Sequence, residues 1–267
     1  MSQILLDSNW QVPNFELFEF GNKTAAYAIC IPIINEGARI VNQLTEMKQH
    51  GISEIADILL LDGGSTDGST DPKILEPLGV RALLLKTGKG KLSAQLRMGF
   101  AYALQQGYEG IITIDGNGKD GIEAIPDFIY QLQKGYDFVQ GSRYLQGGKA
   151  VNTPLIRALA INLLHAPIIS LAAGQKFTDT TNGFRAFSRH YLLDSRVQPF
   201  RDVFCTYELL AYLSVRATQL GLRTIEIPVS RHYPAKGKIP TKISHFRGNL
   251  LLLKILLKTL QGSFNPS

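Results

Sequence analysis

The sequence predicts an α/β protein, Rossmann-like, with a mostly parallel central sheet flanked by helices. Short β-branched apolar runs alternate with helical stretches through the first half of the chain, as in strands joined by crossover helices. Polar or glycine-rich segments follow four of those runs, at the strand ends where open sheets of this kind place their ligand crevice. The 267 residues are 45% hydrophobic, enough for one large core, and nothing in the composition resembles disorder.

Residues 1–25 read as an N-terminal extension. They lack the basic start and long apolar run of a secretory signal, so a cytoplasmic location is expected. Strands are expected over 27–34, 58–61, 80–85, 110–114 and 138–140, and helices over 38–50, 92–106 and 125–134, where apolar residues recur at helical spacing. Residues 158–175 carry no formal charge, a length near the lower limit for crossing a bilayer. Asn162, His165, Pro167 and Ser170 interrupt the run, which reads as a buried or interfacial helix pair broken at Pro167. A helix near 207–220 and the strand-like TIEIPVS follow. The last stretch, FRGNLLLLKILLKTL, is a leucine-rich helix whose charges, Arg247, Lys254 and Lys258, are all positive. Such a helix either lies on an anionic membrane surface, packs on the domain or meets a second copy of the chain.

The 28 Lys and Arg against 22 Asp and Glu give a net charge of +6, which suits anionic partners. The basic residues show no aromatic interleaving or nucleic-acid-binding signature, so nucleic acid is not expected among them. Cys30 lies in an apolar run and Cys205 precedes a helical one, so both are expected as thiols rather than as a disulfide.

Asp115 directly follows the buried run ITI and opens DGNGKD. A carboxylate there calls for a cation, and Mg²⁺ or Mn²⁺ is commonly held by one or two carboxylates plus substrate phosphates. The bland alternative is a turn or helix cap by Asp115 or Asn117. Asp62, again just after a strand, is placed to accept from a ribose or nucleobase, with Gly63 and Gly64 permitting close approach. Ser65, Asp67 and Ser69 read as turn and cap residues. Lys89, Lys91, Arg143 and Arg185 are candidate phosphate contacts, since a departing diphosphate needs its charge neutralised. A Walker loop, a GxGxxG fingerprint opening a helix, a nucleophile elbow and zinc-ligand spacing are all lacking.

In order, IPIINEGARI, LLDGGSTDGS, TGKGK, ITIDGNGKD, QGSRY, DTTNGFRAFSR and EIPVSRHYPAKGKIPTKI resemble the successive motifs of family 2 glycosyltransferases, over roughly residues 26 to 250. Within that family the likeness is to the dolichol-phosphate mannose synthase and polyprenyl-phosphate glycosyltransferase branch. The resemblance implies a GT-A fold, a nucleoside diphosphate sugar as donor, Mg²⁺ or Mn²⁺, and inversion at the anomeric carbon. Residues 26–235 would form the catalytic domain and 236–267 an acceptor loop with its amphipathic helix. Pro32, Asn35, Glu36 and Asp62 would line the nucleoside site, with Gly63 beside them and Lys89 near. Asp115 and Asn117 occupy the metal and diphosphate motif, and Arg143 would contact the donor phosphates. Asp179, Asn182, Gly183 and Arg185 match the segment shaping the sugar and acceptor pocket, and Lys242 stands where that branch has a basic residue for the acceptor phosphate.

Three departures stand out. The paired aspartates after the second strand are Asp62 and Gly63, the DxD triplet is Asp115, Gly116 and Asn117, and the C-terminal motif is spaced differently, with Lys236, Lys238 and Pro240 before Thr241. For a polyprenyl phosphate acceptor no catalytic base is required, because a phosphate monoester with a second pKa of about 6 is already ionised near neutral pH. For a sugar hydroxyl or glycan acceptor a carboxylate must take the proton, and Asp179 is the first candidate. A non-catalytic nucleotide-sugar binder is the remaining alternative. Peripheral association with the cytoplasmic face of a membrane, or self-association through residues 155–174 or the C-terminal helix, would bury the apolar segments.

Overall fold

The computed structural model describes residues 9–235 and 245–266. Its strands are β1 (Phe15–Glu19), β2 (Tyr27–Ile33), β3 (Asp57–Asp62), β4 (Val80–Lys86), β5 (Gly110–Thr113), β6 (Phe138–Ser142), β7 (Lys149–Val151), β8 (Arg185–Ser188), β9 (Thr224–Pro228) and β10 (Ser230–His232). Eight form one sheet in the order β1-β4-β3-β2-β5-β8-β6-β9, and β10 and β7 form a second, two-stranded sheet. Neighbours β4-β3-β2-β5 and β6-β9 run parallel, while β1 and β8 are antiparallel to theirs. All five expected strands are present, and so are the expected helices, at Ala38–Gln49, Leu92–Gln105 and Ile125–Gln133.

The strands alternate faces, and each face has its own core. Ala28, Cys30, Leu59, Leu61, Ala82 and Leu84 look toward the helices Leu92–Gln105 and Glu208–Gln219. Ile29, Ile31, Ile33, Ile58, Leu60 and Leu83 look toward Ala38–Gln49 and Ile125–Gln133. The result is a three-layer α/β/α sandwich, and Cys30 and Cys205 are both free thiols. From β2 the chain runs outward through β3 and β4, then crosses back to place β5 on the other side of β2. That reversal opens a crevice at the carboxyl ends of β2 and β5.

Strand β1 lies within the stretch read as an extension. Its register runs from Phe15 opposite Lys86 to Glu19 opposite Ala82. A polar clasp holds it: Tyr102 donates its hydroxyl to Glu19 Oε1, and Arg81 Nη1 donates to that hydroxyl at 2.9 Å.

The expected break at Pro167 is absent. Leu155–Ala173 is one helix of 19 residues, with a π-helical turn at Ile161–His165 just before the proline. Proline removes a backbone donor and crowds the preceding turn, and a wider turn accommodates both. An 18-residue window of this helix has a mean hydropathy of 1.7, yet only 17% of that window is buried. Leu155, Ile156, Leu163 and Leu171 are all at least 72% exposed. The C-terminal helix His245–Leu260 packs Ile255 and Leu256 into the first core, with Phe264 beyond it, and leaves Leu250 and Leu257 outside.

Tyr102→Phe should destabilise the protein by about 1–3 kcal/mol, because it leaves a buried Arg81 donor unpartnered. Urea denaturation reads the loss, and faster amide exchange confined to 15–19 would show that the clasp holds β1.

Candidate functional site

Every loop at the carboxyl edge carries polar groups, and the loops after β2 and β3 are stitched together. Asp62 is 1% exposed, and both its oxygens accept from Ser65 N at 3.0 Å while Oδ1 also accepts from Ser65 Oγ at 2.6 Å. Ser65 Oγ in turn accepts from Asn35 N at 2.9 Å, and Asn35 Oδ1 accepts from Thr66 N at 2.7 Å. Asp67 takes Ser69 Oγ and Gly37 N, which keeps its carboxyl below the ordinary range. Asp62 therefore shapes the rim through its own loop, as the turn reading of Ser65, Asp67 and Ser69 expects.

Gly63 has a packing reason. The Gln95 amide donates to Ile33 O and Leu61 O, both at 2.9 Å, tying the ends of β2 and β3. A Cβ on residue 63 would lie 3.0 Å from that nitrogen, so a second aspartate there would crowd the tie and push the Gln95 amide aside by a few tenths of an ångström. Pro32 sits opposite Leu61 within the sheet, Glu36 pairs with Arg39 at 2.8 Å, and Lys89 is exposed on the loop after β4.

Asp115 stands at the crevice. Gly183 lets the loop before β8 press against it: a Cβ there would fall 2.7 Å from Asp115 Oδ1. Asn117 Nδ2 reaches Asp115 Oδ2 at 3.3 Å, whereas Asn117 Oδ1 is buried with no hydrogen-bond partner. The cation that meets Asp115 is Arg231, on β10. Its Nη2 donates to Asp115 Oδ2 at 2.8 Å and its Nη1 to Asp120 Oδ2. Burial would raise the Asp115 carboxyl, but Arg231, with Lys119, holds it below the usual range. At Asp120 burial wins, and the carboxyl is pushed up.

Around Tyr233 the cations gather. Lys119 Nζ lies 5.1 Å from its ring centroid, Arg157 5.6 Å and Arg231 5.7 Å, and Arg157 Nη1 donates to its hydroxyl at 2.9 Å. Burial raises the Tyr233 hydroxyl, but Arg231 and Arg157 outweigh it and bring it below its ordinary value. Lys119 is lowered by burial first and by Arg231 second. Such a concentration of cations beside one crevice wall favours an anion.

Arg143 forms the other buried pair. Its Nε and Nη2 donate to Asp179 at 2.6 and 2.8 Å, and Nη2 also reaches Thr181 Oγ1 at 2.9 Å. The two side chains are 1% and 0% exposed. Asp179 is thus held against Arg143 rather than offered to solvent. Glu226 pins the same loop by accepting from the backbone nitrogens of Thr178 and Asp179.

Arg185 is not brought to the rim. Its guanidinium donates to Asn182 O, Thr180 O, Leu210 O and Ser214 Oγ, and it is 2% exposed. The expectation of a substrate contact there gives way to loop bracing, because every outward direction is taken by a backbone or hydroxyl oxygen. Lys242 lies outside the described residues, as do Lys236, Lys238, Pro240 and Thr241.

The sequence reading missed Arg231, Arg157, Lys119, Asp120 and Tyr233 as a unit. Asp120, Lys119, Arg231 and Tyr233 all lie inside the quoted motifs, but the contact between Arg231 and Asp115 spans 116 positions. Local spacing carries no trace of such a pairing.

Asp179→Asn should cost about 3–5 kcal/mol, because it strands the buried Arg143 charge. The double variant Arg143→Met with Asp179→Leu should lose less in the same chemical denaturation.

The model of the glycosyl transferase family 2 domain matches residues 28–195. Glycosyltransferase AglJ of Haloferax volcanii is 27% identical over 231 residues, covering 85% of this chain and 71% of that protein. An undecaprenyl-phosphate mannosyltransferase of Micrococcus luteus is 28% identical over 178 residues, covering 66% and 71%. Among solved structures, glucosyl-3-phosphoglycerate synthase of Mycobacterium tuberculosis, crystallised with Mn²⁺, UDP and phosphoglyceric acid, superposes with a TM-score of 0.63 at 15% identity, over 97% of this chain and 86% of that one. That likeness shows the GT-A fold. With its sheet, its crevice and a family match over residues 28–195, more than half of its length, the chain belongs to glycosyl transferase family 2 and is a glycosyltransferase.

Proposed function

We propose that the enzyme moves a sugar, with inversion, from a nucleoside diphosphate sugar to a polyprenyl phosphate at the cytoplasmic face of a membrane. One observation carries the acceptor: Arg157, in contact with Tyr233 inside the cation cluster, is flanked by Leu155 and Ile156, which are 75% and 84% exposed. Positive charge and exposed apolar surface therefore meet within three residues of one helix. A phosphate on an isoprenoid chain complements both. The relative from Micrococcus luteus, an undecaprenyl-phosphate mannosyltransferase, supports the same acceptor class.

The donor belongs in the crevice between β2 and β5, with Pro32, Asn35, Glu36, Asp62 and Gly63 along the nucleoside edge and Lys89 beside it. Asp115 with the amide oxygen of Asn117 would hold a divalent ion there. The buried, unpartnered Asn117 Oδ1 fits that role. Among the described residues no three His, Cys, Asp or Glu side chains form a metal-binding group, so donor phosphates and water would complete the coordination. When bound, Mg²⁺ or Mn²⁺ neutralises the departing diphosphate. The protein's own part is orientation: Arg157, with Lys119 and Arg231 near, sets the acceptor phosphate toward the anomeric carbon, and Arg143 with Asp179 fixes the wall behind it.

A hydroxyl acceptor would need a base, and Asp179, fully buried and held by a guanidinium, is poorly placed to serve as one. The non-catalytic reading rested on Gly63 and Asn117. Gln95 accounts for the first, and an amide oxygen can still bind a metal.

The experiment is transfer from a panel of nucleoside diphosphate sugars to undecaprenyl phosphate in anionic vesicles, set against soluble sugar acceptors. An organic-extractable glycolipid product is expected, and product only on soluble sugars would reject the lipid acceptor. Arg157→Ala should raise the KM for the lipid phosphate about tenfold or more and leave the donor KM unchanged, the scale of one lost charged hydrogen bond. Leu155→Ser with Ile156→Ser should reduce co-flotation with the vesicles. Loss of a dimer instead of vesicle binding would assign that face to a second copy.

A further inference from the structure

Arg231 meets two carboxylates at once, and its backbone fixes it there. The strand that carries it is bonded to the Asp115 loop on both sides: Gly121 N donates to Ser230 O at 3.0 Å and His232 N to Lys119 O at 2.7 Å. An isolated antiparallel bridge pairs Asp120 with Arg231 between them. The guanidinium side chain is 7% exposed, with one nitrogen on Asp115 and the other on Asp120. A guanidinium bonded to Asp115 repels an incoming divalent ion and weakens that carboxylate as its ligand. Two oxygens of the same loop, Asn117 Oδ1 and Asp120 Oδ1, are nevertheless buried without a hydrogen-bond partner. Buried acceptors of that kind call for a state in which something meets them.

We propose that Arg231 is the resident counter-ion of Asp115 and competes with the divalent ion for it, so that metal loads together with the nucleoside diphosphate and poorly without it. This rests on the metal-dependent donor site proposed above. Arg231 Nη2 leaves Asp115 most readily for another acceptor, because a buried donor left without a partner costs free energy even while Nη1 stays on Asp120. A donor phosphate oxygen supplies that acceptor. Nη1 keeps Asp120 throughout, and Asp115 is freed as the diphosphate arrives. The exchange trades hydrogen bonds and makes or breaks no covalent bond. Arg231 is in this sense a positioning residue that makes metal binding conditional on the donor.

The test is Mn²⁺ binding to the full chain, read by the electron paramagnetic resonance of free Mn²⁺, first alone and then with UDP, GDP, CDP or dTDP. Wild type should bind Mn²⁺ weakly alone and about tenfold tighter with one nucleotide, a difference near 1.4 kcal/mol. Arg231→Gln should bind Mn²⁺ alone about tenfold tighter than wild type and lose most of the nucleotide enhancement. Arg157→Gln removes a cation of the same cluster that does not touch Asp115, and should bind Mn²⁺ alone as wild type does. Asp115→Asn should abolish the binding and leave the free Mn²⁺ signal undiminished, which locates the ion. If Arg231→Gln fails to fold, Arg231→Gln with Asp120→Asn removes both members of the second buried pair and should bind Mn²⁺ alone more tightly than wild type. Asp115-dependent binding that is no tighter in the Arg231 variants overturns the proposal and leaves the donor site standing. No Asp115-dependent binding in any variant with any nucleotide overturns both.

Discussion

Buried charges at the carboxyl edge of the sheet must be met by polar partners, and that constraint organises the site. Arg185 is met by backbone and hydroxyl oxygens, whereas Arg143 and Arg231, also almost wholly inside the protein, are held by carboxylates from a distant part of the chain. Arg143 joins the end of β6 to the loop before β8 through Asp179. Arg231 joins β10 to the loop after β5 through Asp115 and Asp120. Neither pair contributes much net stability, since desolvation offsets most of the attraction. Their effect is on geometry: they fix the end of β6, the loop before β8, strand β10 and the loop after β5 against one another.

The surplus of cations follows from the same arrangement. Lys119 and Arg157 stand beside Arg231 against the Tyr233 ring, and the carboxylates nearby are already paired. An anion is therefore favoured at this wall of the crevice, and the exposed leucine and isoleucine faces of Leu155–Ala173 begin within two residues of it. The π turn ahead of Pro167 keeps that helix continuous, so its apolar surface extends away from the charge without a break. Charge at one end and uncovered apolar surface along the length make one amphipathic element out of what composition reads as an uncharged run.

The alternating pattern made the parallel half of the sheet and its helices legible, because each strand there is followed by a crossover of ordinary length. Asp115 was legible too, as a carboxylate stranded after a buried run. Strand β1 was not, since five residues of FELFE gain their meaning only from β4 and from Tyr102, far along the chain. Arg185 misled for a related reason. Its place in NGFR matches a family motif, but motif position does not say where a guanidinium points, and here it points at backbone carbonyls. Gly63 shows the reverse case: an apparent loss in the motif has a steric cause in Gln95, visible only once β2 and β3 lie side by side.

At the centre of this account is a nucleoside diphosphate site, with metal, between β2 and β5. Thermal unfolding of the purified protein with UDP, GDP, CDP or dTDP, each with Mn²⁺ or with chelator, tests it most directly, because a ligand that binds the native state raises its melting temperature by mass action. The account predicts that one nucleotide stabilises the protein and does so only with Mn²⁺. No shift with any nucleotide under either condition would contradict it.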